Sequence, residues 1–256
     1  MPAWTGPLAF TLFAWWFSTG LILYLDGLPR RTFKWTFAAA SVLCLAGLAG
    51  LAASSTHTST AAAYCAFTCA LLVWAWQEVA FLLGYVTGPR RLPCPAESRG
   101  WPRVRGALLA VLHHELALIV LAAAVLAVTW GAPNQTGWWT FAVLWAMRQS
   151  AKLNVFLGVR NLGENFLPPH LQYLKSYFVR KPMNPLLPFS VLVASLVVAP
   201  IWQAALATQA SRFEVASFSL VGSLLSLAIL EHLFLVLPLQ TESLWSWGMR
   251  SRRAER

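Results

Sequence analysis

The strongest constraint in this chain is a series of seven apolar stretches, each near the length a helix needs to cross about 30 Å of hydrocarbon. They run from about Gly6 to Leu25, Trp35 to Ala53, Thr60 to Val86, Arg105 to Trp130, Gly137 to Phe156, Leu187 to Thr208 and Phe213 to Leu239. The third is long enough to tilt, and the third and fifth carry charges near one end. Composition excludes the soluble alternatives. Residues of the AVILMFWYC class make up 58% of the chain and charged residues 11%, where a soluble domain carries about 25% charge. The net charge of +10 suggests a nucleic-acid binder, but such a protein is not this apolar and does not carry 14 Trp. The same hydrophobicity excludes disorder. The expected fold is therefore all-α: a polytopic membrane protein of seven transmembrane helices, forming one integral membrane domain over residues 1–256.

The basic residues give an orientation. Arg30, Arg31 and Lys34 follow the first stretch, and Arg90, Arg91, Arg99, Arg103 and Arg105 follow the third. Arg148, Lys152, Arg160, Lys175, Arg180 and Lys181 lie at the end of the fifth and beyond it, and Arg250, Arg252, Arg253 and Arg256 in the tail. Eighteen of nineteen thus fall on alternate connections, with Arg212 the exception. A missed helix would scramble this alternation. By the positive-inside rule the N-terminus is periplasmic and the C-terminus cytoplasmic. Anionic lipid on the cytoplasmic side accounts for most of these cations. No Lys or Arg precedes residue 30, so a cleavable signal peptide is not expected and the first span stays. Most Trp residues fall near the expected interfaces. Cys44, Cys65, Cys69 and Cys94 have no CxxC spacing, so neither a disulfide nor a zinc motif is read.

Residues 158–186 form an unusual cytoplasmic connection. Gly158 to Phe166 is polar, as a functional loop or re-entrant turn would be. Pro168 and Pro169 suit a helix start. Leu171, Leu174, Tyr177 and Phe178 then recur at helical spacing, with Lys175, Arg180 and Lys181 on the polar side. The expectation is a helix lying in the cytoplasmic interface.

Charges inside hydrocarbon cost several kcal/mol and need a partner or a role. Glu78 lies in the third span, His113, His114 and Glu115 in the fourth, and Glu231 and His232 in the seventh. Counted from the expected span ends, the three glutamates lie roughly 12–15 Å from the cytoplasmic interface. One polar site shared by three helices is therefore expected. With Glu164 as a fourth carboxylate, the set has the residue types of a bundle di-iron or di-manganese centre. Non-haem iron or manganese would suit oxygen chemistry, but the usual Glu-x-x-His spacing is absent. Adjacent pairs such as His114–Glu115 point about 100° apart. A second reading has His114 or His232 ligating a tetrapyrrole metal. A third is an ion-pair network of the glutamates with Arg148, Lys152 or Arg160, holding the bundle together without a ligand. A proton or substrate pathway is a fourth. His113 reads as a neighbour of the functional pair, His170 as a helix-start residue, and Asp26 as the end of the first span.

Several strings resemble the photosynthetic-complex assembly proteins of purple phototrophic bacteria, the PuhE family. They are Trp16-Phe-Ser-Thr-Gly-Leu-Ile-Leu-Tyr-Leu-Asp-Gly-Leu-Pro-Arg30, Trp76-Gln-Glu-Val-Ala-Phe81, Thr87-Gly-Pro-Arg-Arg91 and His114-Glu-Leu116. The longest runs from Ser150 to His170, and Pro182-Met-Asn-Pro185 follows. The resemblance implies a multi-pass protein of the bacterial inner membrane that serves assembly of reaction-centre and light-harvesting complexes. Its implied partners are complex subunits, other assembly factors and a bacteriochlorophyll intermediate, with no role for nucleic acid. The resemblance carries no catalytic residues, and catalysis is left open. The alternative function is a carboxylate–histidine metalloenzyme of tetrapyrrole or carotenoid metabolism.

Overall fold

A computed structural model describes residues 2–239 and 241–253. Its long helices are α1 (Thr5–Asp26), α2 (Phe33–Ser55), α3 (Thr60–Leu82), α4 (Trp101–Thr129), α5 (Thr136–Leu157), α6 (Leu186–Ala205) and α7 (Arg212–Phe234). Six of these seven are long and apolar enough to cross a membrane, and α5 is the exception. Among the described residues there is no sheet, only an isolated bridge between Val159 and Arg180.

The helices end where local chemistry stops them, not where the apolar run ends. Helix α3 stops at Leu82 rather than near Val86, because Gly84 turns the chain at φ +83°. Helix α7 stops at Phe234 rather than near Leu239. The Asn161 amide donates to the carbonyls of Phe234 and Leu237, and the Asn161 N–H to that of Leu235, which satisfies the carbonyl end of the helix. Helix α4 starts earlier than expected, directly after Gly100 at φ +57°.

Helices α3 and α7 form the buried centre. Phe67 packs with Leu220 and Leu224 there, and Val73 with Leu118, Val125 and Phe141. Helix α2 docks on α3 through glycines. A Cβ at Gly47 would lie 2.9 Å from the Cys69 carbonyl oxygen, and one at Gly50 would lie 2.5 Å from Cys69 Sγ. Membrane helices associate through such small residues because lipid offers no hydrophobic drive between them. The outer faces carry large apolar side chains, such as Phe13 on α1, Leu45 on α2, Val120 on α4 and Leu196 on α6. An exterior this apolar requires a hydrocarbon solvent.

Three connections fold back onto the bundle. In the first, Thr87–Arg90 lies against α4. The His114 N–H donates to the Thr87 carbonyl at 2.9 Å and the Arg90 N–H to that of Leu109 at 3.2 Å. Only glycine fits at Gly88, where a Cβ would lie 2.2 Å from the Leu109 carbonyl oxygen. In the second, Pro169–Tyr177 is a 3₁₀ helix. Leu171, Leu174 and Tyr177 recur at intervals of three, so they eclipse on a 3₁₀ helix, and they are buried against Phe81, Ala107 and Ala110. The stripe that suggested a membrane-facing α-helix is turned to the protein. In the third, the tail from Thr241 to Arg253 runs along α1. Trp16 Nε1 donates to the Leu244 carbonyl at 2.8 Å, Trp245 Nε1 to that of Trp16 at 3.0 Å, and the Ser251 hydroxyl to that of Tyr24 at 2.9 Å.

Candidate functional site

Helix α5 misses the hydropathy of a spanning helix because its second half is polar. Those polar side chains join it to its neighbours. Arg148 donates to Glu78 of α3 at 2.8 Å, and Gln77 holds the other Glu78 oxygen at 3.1 Å. Lys152 and Gln149 donate to the two oxygens of Glu115 on α4, at 2.7 and 2.6 Å. Ser150 meets His232 of α7 at 2.9 Å, and Asn154 reaches Ser190 of α6 at 3.4 Å. Arg148 and Lys152 are one turn apart and share a face, which sets Glu78 and Glu115 about one turn apart in depth.

Counted along its own helix, each glutamate lies at a different distance from the helix end. Glu78 lies four residues from the end of α3 and Glu231 three from the end of α7, or about 6 and 5 Å. Glu115 lies fourteen residues into α4, about 21 Å along the helix. These counts differ because α3 and α7 stop early while α4 begins early, so the helix ends do not mark one level. Glu231 is exposed on the outer surface and accepts a 2.6 Å hydrogen bond from Trp15 Nε1 of α1. It remains within electrostatic reach of Arg148 and Glu78.

The histidines are also divided. His113 is exposed on the outward face of α4, whereas His114 is 1% exposed with its ring 4.5 Å from that of Phe81. His232 Nδ1 lies 2.9 Å from the Ala228 carbonyl. A carbonyl only accepts, so Nδ1 carries the proton and Nε2 of the neutral ring accepts from Ser150. Both nitrogens are then occupied. Glu164 lies outside the bundle, where it accepts from Arg180 at 2.8 Å. Arg160 contributes only its carbonyl, also to Arg180, and its side chain is exposed.

This geometry does not assemble the metal centre considered above. Among the described residues, no group of three or more His, Cys, Asp or Glu side chains could hold a metal ion. The reason is local: adjacent His–Glu pairs diverge around their helices, and Glu78 and Glu115 are saturated by a cation and an amide each. Both ring nitrogens of His232 are engaged, whereas His114 is buried against the Phe81 ring with its Nδ1 lacking a hydrogen-bond partner among the described residues. The arrangement can hold helices together across a low-dielectric interior.

A second polar region was not singled out in the sequence. Two adjoining cavities of about 420 and 440 Å³ lie where α1 turns into α2, and Arg30, Phe33 and His170 line both. Residues 26–30, 87–91 and 167–170 supply much of the walls. Each segment belongs to a string that carries the family resemblance, so their convergence was the available signal.

These features define a class, a multi-pass helical membrane protein with internally paired charges. The chain belongs to the family described as "Protein of unknown function (DUF3623)", whose model matches residues 1–256. It is similar to a Rhodobacter capsulatus protein described as "Uncharacterized 30.4 kDa protein in puhA 5'region". The two are 37% identical over 245 residues, covering 94% of this chain and 89% of the relative. No solved structure matches the chain.

Proposed function

We propose that this protein is an inner-membrane factor for assembly of photosynthetic reaction-centre and light-harvesting complexes, and that it works as a binding scaffold. It crosses the membrane seven times, with α5 among the spans, a periplasmic N-terminus and a cytoplasmic C-terminus. Its partners are nascent complex subunits, other assembly factors and a bacteriochlorophyll intermediate, met on the basic cytoplasmic face and the 158–186 connection. The relative named for its place 5' of puhA supports the setting. One observation carries the scaffold reading: Glu78 and Glu115 are each bound by a cation and an amide from within the chain. The set Glu78, His114, Glu115, His232, Arg148 and Lys152 then acts as bundle glue, while His113, Glu164, Glu231 and Arg160 stand outside it.

The test is an in-frame deletion in a phototrophic host, complemented by variants. Near-infrared absorbance of the membranes reports assembled complexes, and solvent extraction reports total pigment. The deletion is expected to lower assembled complexes several-fold. The neutral pair Glu115→Gln with Lys152→Met is expected to restore them, because it keeps the shape of the contact without its charges. Unchanged complexes in the deletion would overturn the assembly role. Failure of the neutral pair at wild-type protein abundance would overturn the scaffold reading, since it would require chemistry from those side chains.

A further inference from the structure

The paired cavities at the α1–α2 corner differ from the bundle interior in one respect. Their cations are not neutralised from within. Arg30 and Lys175 make no ion pair among the described residues, and Arg91 donates only to the Gly84 carbonyl. These three cations line the cavities with one carboxylate, Asp26. Elsewhere in the chain Arg148, Lys152 and Arg180 each have an acid within 2.8 Å. A local excess of positive charge over a concave surface attracts an anion.

The neutral polar groups suit the same ligand. Thr87 is 1% exposed and lines one cavity with Tyr173, and the two hydroxyls face each other without a hydrogen bond of good geometry. Burial pushes the Tyr173 phenol above its usual range, so it stays protonated and remains a donor. Hydroxyl donors and cations around one hollow match the acceptor oxygens of a phosphate. The surroundings suit an attached apolar part. Phe33 lines both cavities, and Trp35 at the start of α2 is 70% exposed, as an aromatic at a membrane interface is.

We propose that these adjoining cavities form a binding site for a phosphate-bearing anion, with Arg30 facing both cavities, Lys175 lining one and Arg91 the other. A phospholipid headgroup is the amphipathic source of that chemistry, and a soluble phosphate compound is the other. The site depends neither on the scaffold reading nor on the α5 contacts. His170 is its positioning residue: its ring donates to the Leu82 carbonyl at 2.8 Å, fixing the 3₁₀ helix that carries Lys175 and Tyr173.

The experiment uses the full chain in nanodiscs and native mass spectrometry. One set of discs contains phosphatidylglycerol and another only phosphatidylcholine. Inorganic phosphate is titrated as a competitor. Arg30→Gln with Lys175→Gln removes two cations that support no internal contact. Arg212→Gln removes the one basic residue assigned to the opposite side. Retention of phosphatidylglycerol is expected to fall about thirtyfold in the double variant, the loss two cations near a membrane surface confer. It should be unchanged in Arg212→Gln. Displacement by phosphate without any lipid preference assigns the same site to a soluble compound. Equal retention in the double variant and the wild type overturns the site, provided both give the same elution volume and helical content. So does equal loss in Arg212→Gln, because the effect would then be general charge. Lys175→Glu alone provides the second variant, with an expected loss at least as large.

Discussion

At the scale of single residues, the ionisable groups inside the spans were legible, but their partners were not. Helical spacing places Arg148 and Lys152 on one face. It does not reveal that Gln149, one residue after Arg148 and three before Lys152, completes the shell of Glu115. Nor does it reveal that Glu231 is held by Trp15, 216 positions away. Pairing is a property of packed helices, and the sequence carries only half of each pair. Removing one member is informative. Arg148→Met strips Glu78, a side chain 11% exposed, of its cation. Breaking a fully buried pair costs about 3–5 kcal/mol, and the Arg148 side chain is 46% exposed. A loss of about 2 kcal/mol is therefore expected in mixed-micelle unfolding, with most of it recovered by adding Glu78→Gln. A silent Arg148→Met would mean that the pair contributes nothing to stability.

At the scale of elements, the apolar runs located all seven long helices but misjudged their ends. Gly84 and Asn161 set the ends of α3 and α7 through a backbone angle and side-chain hydrogen bonds, which hydropathy does not register. The 169–177 stripe was visible as a pattern, yet a spacing of three fits a 3₁₀ helix as well as it suggested an α-helix. The tail on α1 was not legible at all. It depends on two glycines. A Cβ on Gly20 would lie 2.1 Å from the Trp247 ring, and one on Gly248 would lie 2.3 Å from the Gly20 carbonyl oxygen. A ring edge can swing aside, whereas a helix carbonyl cannot. Gly248→Ala is therefore expected to release the tail to limited proteolysis several-fold faster than wild type, and Gly20→Ala to have a smaller effect. The reverse order would refute this account of the contact.

At the scale of the whole molecule, charge asymmetry is the basis of the proposed topology and the outer faces identify the solvent. The proposed orientation makes a direct prediction. In a chain with Cys94 as its single cysteine, a membrane-impermeant maleimide added to intact spheroplasts is expected to leave the protein unlabelled until the membrane is permeabilised. A cysteine moved to residue 133 or residue 208 is expected to label at once. Equal labelling of all three would reject the seven-crossing arrangement. The long-range organisation of the polar centre was beyond the sequence, because four of the helices that share it meet only after the chain has folded. The cavities at the α1–α2 corner were hidden for the same reason, with walls drawn from three distant segments.

The polarity of α5 also bears on how the protein enters the bilayer. Left to itself, this helix lacks the hydropathy to stay there. Its anionic counterparts Glu78 and Glu115 belong to helices made before it, while His232 and Ser190 belong to helices made after it. In the proposed seven-crossing arrangement the acids are already in place when the cations of α5 emerge, and the earlier helices would act as a template for its entry. The later ones close around it. On that arrangement the order of the genetic message doubles as an order of insertion, and a chain lacking either acid would be expected to falter at its fifth crossing before stability is ever tested.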